Sequence, residues 1–160
     1  MLKLGLLNIL VLFISIANAQ TFRIELQDNQ GLMQGYISYV VTNDSLVITS
    51  KSDYGRSNVE YLKRTLTKSE KKSFSKFIYS FPVDSIQLNY FNEYNNFDYI
   101  DSEHYPRVFS LNMNVDDKFY GSKCTNAYVR YYARTIDAIN PMLTNEVKIP
   151  YDKQKFNAFY

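Results

Sequence analysis

The chain has one cysteine, one histidine and no tryptophan in 160 residues. With Cys124 alone no intramolecular disulfide can form, so the fold must be held by its apolar core. With His104 alone a zinc site would lean on carboxylates, and no metal site is expected. Glycine and proline are scarce, at five and four, and neither a low-complexity tract nor an internal repeat is present. Net charge is close to balance at +2, so nothing global favours nucleic acid as a partner.

Sequence motifs for chemistry are also missing. There is no G-x-S-x-G elbow, H-E-x-x-H, P-loop, G-x-G-x-x-G or C-x-x-C, so no cofactor and no catalytic residue is expected. Ser69-x-x-Lys72 and Ser73-x-x-Lys76 match the S-x-x-K pattern, but a face rich in Ser and Lys produces such matches by chance, and no K-T-G follows. Cys124 and His104 could form a nucleophile and base only if the fold brought them together. A buried, inert thiol is the ordinary fate of such a cysteine.

No apolar run reaches the roughly 20 residues that a transmembrane helix needs. The longest, Leu4 to Ile16, follows Lys3 and precedes Ala17-Asn18-Ala19. This is the charge, apolar stretch and small-x-small order of a secretory signal peptide over residues 1–19. The expectation is an exported protein, periplasmic or secreted, with a single domain over residues 20–160 and no transmembrane segment in the mature chain. An outer-membrane barrel ending at Tyr160 is disfavoured, because apolar alternation counted back from it fails at Gln154 and Asp152.

What is present is a clear alternation of elements. Thr67 to Phe81 is the plainest helix: Thr67 and Glu70 form an S/T-x-x-E capping box, Phe74, Phe77, Ile78 and Phe81 make one stripe, and Pro82 stops it. Before it, Thr21–Gln27, Tyr36–Thr42, Leu46–Thr49 and Val59–Leu66 read as strands, the first alternating strictly and the first three joined as a meander by the turns Asp28-Asn29-Gln30-Gly31 and Asn43-Asp44-Ser45. After it, a short strand at Ile86, Leu88 and Tyr90 precedes Val108–Val115. Asp116-Asp117-Lys118 turns that strand back into a hairpin. A second helix is expected from about Thr125 to Ile139, with Tyr128, Tyr131 or Tyr132, Ile136 and Ile139 as its stripe, and Val147–Tyr151 as a last edge strand. Strands with two late helices and no βαβ alternation predict an α+β fold. Its architecture is one twisted antiparallel sheet of about six strands, with helices at about 67–81 and 125–139 packed on one face.

Charge is unevenly spread. Residues 51–76 carry eight basic and three acidic side chains, residues 83–117 seven acidic and one basic, and residues 118–160 seven basic and three acidic. Within the acidic part, Phe91 to Arg107 is the least regular stretch and the candidate binding site: Glu93, Tyr94, Asp98, Tyr99, Asp101, Glu103, His104 and Tyr105. Tyr and Asn offer large contact area and adaptable hydrogen bonds, and carboxylates steer a basic protein. The same residues could be a plain solvated connection between strands. A Ca²⁺ site is disfavoured because Asp98-x-x-Asp101-x-Glu103 lacks an EF-hand register and glycine. The expected function is a small, exported, non-enzymatic binding or inhibitor-type module. The alternatives are an envelope hydrolase using carboxylates of this loop, such as Glu93 and Glu103, and a carrier of an apolar ligand.

Overall fold

The structure, a computed structural model, describes residues 21–29, 35–51, 58–82, 86, 89–91, 107–125, 127–153 and 157–159. The expected signal peptide, residues 1–19, lies outside them, and so do residues 92–106 of the acidic stretch.

Among the described residues nine strands and two α-helices follow one another as β1 (Phe22–Asn29), β2 (Tyr36–Thr42), β3 (Ser45–Lys51), β4 (Asn58–Thr65), α1 (Lys68–Tyr79), β5 (Asn89–Phe91), β6 (Val108–Val115), β7 (Lys118–Thr125), β8 (Ala127–Val129), α2 (Arg130–Ile139) and β9 (Asn157–Phe159). The main sheet has the order β4-β3-β2-β1-β6-β7-β5. Its first six strands are antiparallel throughout, and β5 adds a short parallel edge beside β7. β8 and β9 form a separate parallel pair. This is the α+β architecture that the sequence predicts.

One face of the sheet is apolar because the period-2 patterns are in phase. Ile24 lies opposite Val41 on one side and Met113 on the other, and Leu26 opposite Tyr39 and Leu111. All six are buried. Both helices cover this face. Phe22 stacks on Phe74 of α1 with centroids 5.5 Å apart, and contact runs on through Phe77, Phe81 and Tyr131 of α2 at 5.3, 5.1 and 6.0 Å. Such pairs contribute about 0.5–1.5 kcal/mol each beyond area burial. On the opposite face Glu25 accepts from Gln27, Ser38 and Arg23. Partial burial pushes its carboxyl up, but these donors bring it below the usual value.

α1 starts as its capping box dictates: Glu70 N donates to Thr67 Oγ1 at 3.2 Å and Thr67 N to Glu70 Oε2 at 2.7 Å. The β6–β7 hairpin turns on Asp116 and Asp117, whose φ angles of 46° and 65° are those of a two-residue type I′ turn.

The second helix and the last expected strand differ from expectation. The second helix begins at Arg130, not near Thr125, and Ala127–Val129 is strand. Tyr128 fits the helical stripe by spacing, but the neighbouring backbone is engaged elsewhere: Val129 N donates to Tyr151 Oη at 2.7 Å, and Ala127 O accepts from the same hydroxyl at 2.8 Å. The strand expected at Val147–Tyr151 is replaced by a 3-10 turn over Asn145–Val147 and an extended segment. Asn140 takes the ladder's place there. Its Oδ1 accepts from Ile149 N at 2.9 Å and its Nδ2 donates to Ile149 O at 3.0 Å, while Pro150 has no N–H to give.

Candidate functional site

The eight residues singled out by sequence, Glu93, Tyr94, Asp98, Tyr99, Asp101, Glu103, His104 and Tyr105, lie outside the described residues. What is described is the place where their segment leaves and rejoins the sheet. Phe91, at the end of β5, pairs with Thr125 of β7, and Val108, at the start of β6, pairs with Thr125 from the other side. The 92–106 segment therefore departs and returns one strand to either side of a single residue.

That end of the sheet is held by polar and aromatic contacts of long sequence range. Asp28 continues the inward phase of β1 and is 1% exposed, rather than sitting in the turn that Asp28-Asn29-Gln30-Gly31 suggests. Arg107 meets it with two parallel bonds, Nε to Oδ1 at 2.8 Å and Nη2 to Oδ2 at 2.5 Å. A third N–H of Arg107 reaches Pro150 O at 2.9 Å, and its guanidinium lies 4.8 Å from the centre of the Phe109 ring. Five donors in a rigid fork make arginine the side chain that can do all of this at once. Burial and the charge of Asp28 push the nearby Tyr39 hydroxyl up to about 12, and Tyr39 donates to Val147 O.

Behind this pair, Tyr151 packs edge-on against Phe109 and stacks on Tyr128, both at 5.1 Å. Its hydroxyl ties down Ala127 and Val129, and burial drives its ionisation far above the ordinary tyrosine range. Cys124, fully buried in β7, donates from Sγ to Ala127 O at 3.2 Å. Burial pushes its thiol up to about 11. Thiols buried and protonated in this way behave as small apolar side chains. The cluster ties β1, the start of β6, β8 and the segment around Pro150 and Tyr151 together by hydrogen bonds. The sequence reading met Arg107 as the last residue of the acidic stretch and Cys124 as a buried thiol, but placed Asp28 in a turn, Tyr128 in a helical stripe and Tyr151 in an edge strand. Uninterrupted alternation through Asp28 was the available sign of the rest.

A concavity of about 320 Å³ opens between α1 and α2 and is lined by Ser69, Glu70, Ser73, Phe74, Asp137 and Met142 among others. Its one strongly engaged acid is Glu70, bound by Arg64 through Nη1 at 2.9 Å and Nη2 at 2.6 Å; these bonds chiefly, with the cap at Thr67, hold its carboxyl down at about 2. Arg64 also donates to Met142 O at 3.0 Å. Glu70 is thereby committed to joining β4, α1 and the turn after α2. Ser69 and Ser73 stand at the exposed margin of α1, as do Lys72 and Lys76. Among the described residues no group of three or more His, Cys, Asp or Glu side chains could hold a metal ion, and no helix is long and apolar enough to cross a membrane.

No family model, curated protein or solved structure matches this chain.

Proposed function

We propose that the protein is a small exported binding or inhibitor-type module that engages a basic protein partner through the acidic, Tyr- and Asn-rich segment at about 91–107. The observation that carries this reading is the mounting of that segment. Its ends are paired to either side of Thr125 and braced by the Arg107–Asp28 fork. A segment tied at closely spaced ends loses less entropy on binding than a free one of the same length. Residues 92–106 carry Glu93, Asp98, Asp101 and Glu103 and no lysine or arginine, a composition that attracts cationic surfaces over roughly a Debye length. Export by the 1–19 leader belongs to the same proposal. It would leave Gln20 one residue ahead of Thr21, whose N–H and C=O bond Asp116 at the sheet end.

The test is a pull-down from envelope and culture-medium fractions with the chain from Gln20 onward, beside a variant with Glu93→Gln, Asp98→Asn, Asp101→Asn and Glu103→Gln. A basic partner retained by the wild type, released by the variant and bound more weakly at high salt is the expected outcome. Equal affinity of the two for the same partner would overturn the assignment of the segment.

A further inference from the structure

We infer that the free edge of β4 is a self-association surface, pairing antiparallel with β4 of a second copy so that the two sheets become one. β4 stands at the end of the sheet, and among the described residues no strand lies on its outer side. It is eight residues long, Asn58–Thr65, against three for β5 at the other edge. An edge strand of that length directs alternate N–H and C=O groups outward, unpaired. Among the described residues, two of the four exposed large apolar side chains, Val59 at 47% and Tyr61 at 58%, belong to it.

The occupant is set by charge order and by a bulge. Edge strands commonly carry charges and bulges that repel stray strands, and β4 has both. Here they also make the strand complementary to itself. In a regular strand Glu60 and Lys63, three residues apart, would point to opposite faces. The ladder with β3 skips Tyr61: Ile48 pairs with Leu62 and Thr49 with Glu60, while Val47 pairs with Lys63. That one-residue bulge places Glu60 and Lys63 together on the face of the sheet away from the helices. A two-fold axis normal to the sheet, passing between Tyr61 and Leu62, keeps faces matched. It sets Glu60 of each copy directly opposite Lys63 of the other, with Asn58 opposite Thr65 on the same face. Val59 then meets Arg64, whose guanidinium is already committed to Glu70 and Met142 O and presents its aliphatic stem. Directly opposed unlike charges favour a strand pair and like charges oppose it. A foreign strand would need this same order to do as well.

The experiment is sedimentation equilibrium on residues 20–160, with four samples. The wild type is expected to dimerise. Glu60→Lys and Lys63→Glu, each of which puts like charges opposite one another at both crossings, are expected to weaken the dimer at least about tenfold. An equimolar mixture of the two single variants restores unlike pairs at both crossings and is expected to form a heterodimer. The double exchange, Glu60→Lys with Lys63→Glu, is expected to recover self-association. Both positions are solvent-exposed, and unchanged circular dichroism of the variants separates loss of pairing from loss of fold. A wild type that is monomeric to about 100 μM, a dimer indifferent to the single reversals, or single variants that do not associate on mixing would each overturn the inference.

Discussion

Arg107 and Asp28 show how much one side chain can decide. They are 79 residues apart and form the most buried ion pair among those described, with Asp28 at 1% and Arg107 at 19% side-chain exposure. Removing one charge of a buried pair leaves the other without its counter-charge, which typically costs about 3–5 kcal/mol. Arg107→Ala is therefore expected to lower unfolding free energy by that amount in urea melts, whereas Asp28→Leu with Arg107→Met, which removes both charges, is expected to cost much less. Glu70 supplies a second prediction at this scale. Its carboxyl is held at about 2 against an ordinary 4.5, chiefly by hydrogen bonds from Arg64. A depressed folded value means the stabilisation is complete above about pH 4.5 and is lost as pH falls toward 2. Thermal melts from pH 6 to pH 2 should show the wild type losing an increment that Glu70→Gln lacks throughout. That variant starts about 1 kcal/mol less stable at pH 6, because it surrenders the charge-assisted bonds to Arg64.

At the scale of elements, local chemistry and chain return compete. The β6–β7 hairpin is local. Asp116 and Asp117 both occupy positive φ, which type I′ turns demand and which glycine adopts without the Cβ penalty. Asp117 is exposed, while Asp116 holds Thr21 through both its side chain and its backbone N–H. Asp117→Gly is thus expected to stabilise the protein by about 0.5 kcal/mol in chemical denaturation, and Asp117→Val to destabilise it by more than that. The second helix shows the opposite case. Its apolar spacing extends back to Tyr128, yet the helix starts at Arg130, because Tyr151 takes the backbone of Ala127 and Val129. Nothing within the 125–139 window announces a tyrosine hydroxyl arriving from more than ten residues downstream.

For the whole molecule, the core joins sheet and helices so fully that its ionisable members report on global unfolding. Cys124 is completely buried, and burial raises its thiol from 9.0 to about 11 while Tyr39 rises from 10.0 to about 12. For groups raised in the folded state, stability is intact below the unfolded values and declines as pH climbs from about 9 to 12. Equilibrium melts over that range should show falling stability, with a smaller loss between pH 9 and 11 in Cys124→Ala. At pH 8 a thiol reagent should modify the native protein only as fast as the protein opens, so that modification in increasing urea tracks the fraction unfolded.

The sequence by itself determined whatever repeats or closes within a few residues. Alternation in β1 and β6, the Thr67–Glu70 capping box, the Phe74 to Phe81 stripe, and the Asp116-Asp117 turn each follow from period, capping or turn geometry. Together they were enough to predict an α+β sheet with two helices on one face. The acidic composition of 91–107 was equally legible, since charge needs no fold to be counted. Tertiary structure alone decided which backbone groups are already spoken for and which strands stand at the edges of the sheet among the described residues. It made Tyr151 cut short a helix, Asn140 replace a strand, and Arg107 brace Asp28. It also left β4 at the rim, with a bulge that brings Glu60 and Lys63 to one face. Those outcomes depend on distant parts of the chain arriving within hydrogen-bond reach, and a hydrogen bond is a matter of a few tenths of an ångström that no local pattern encodes.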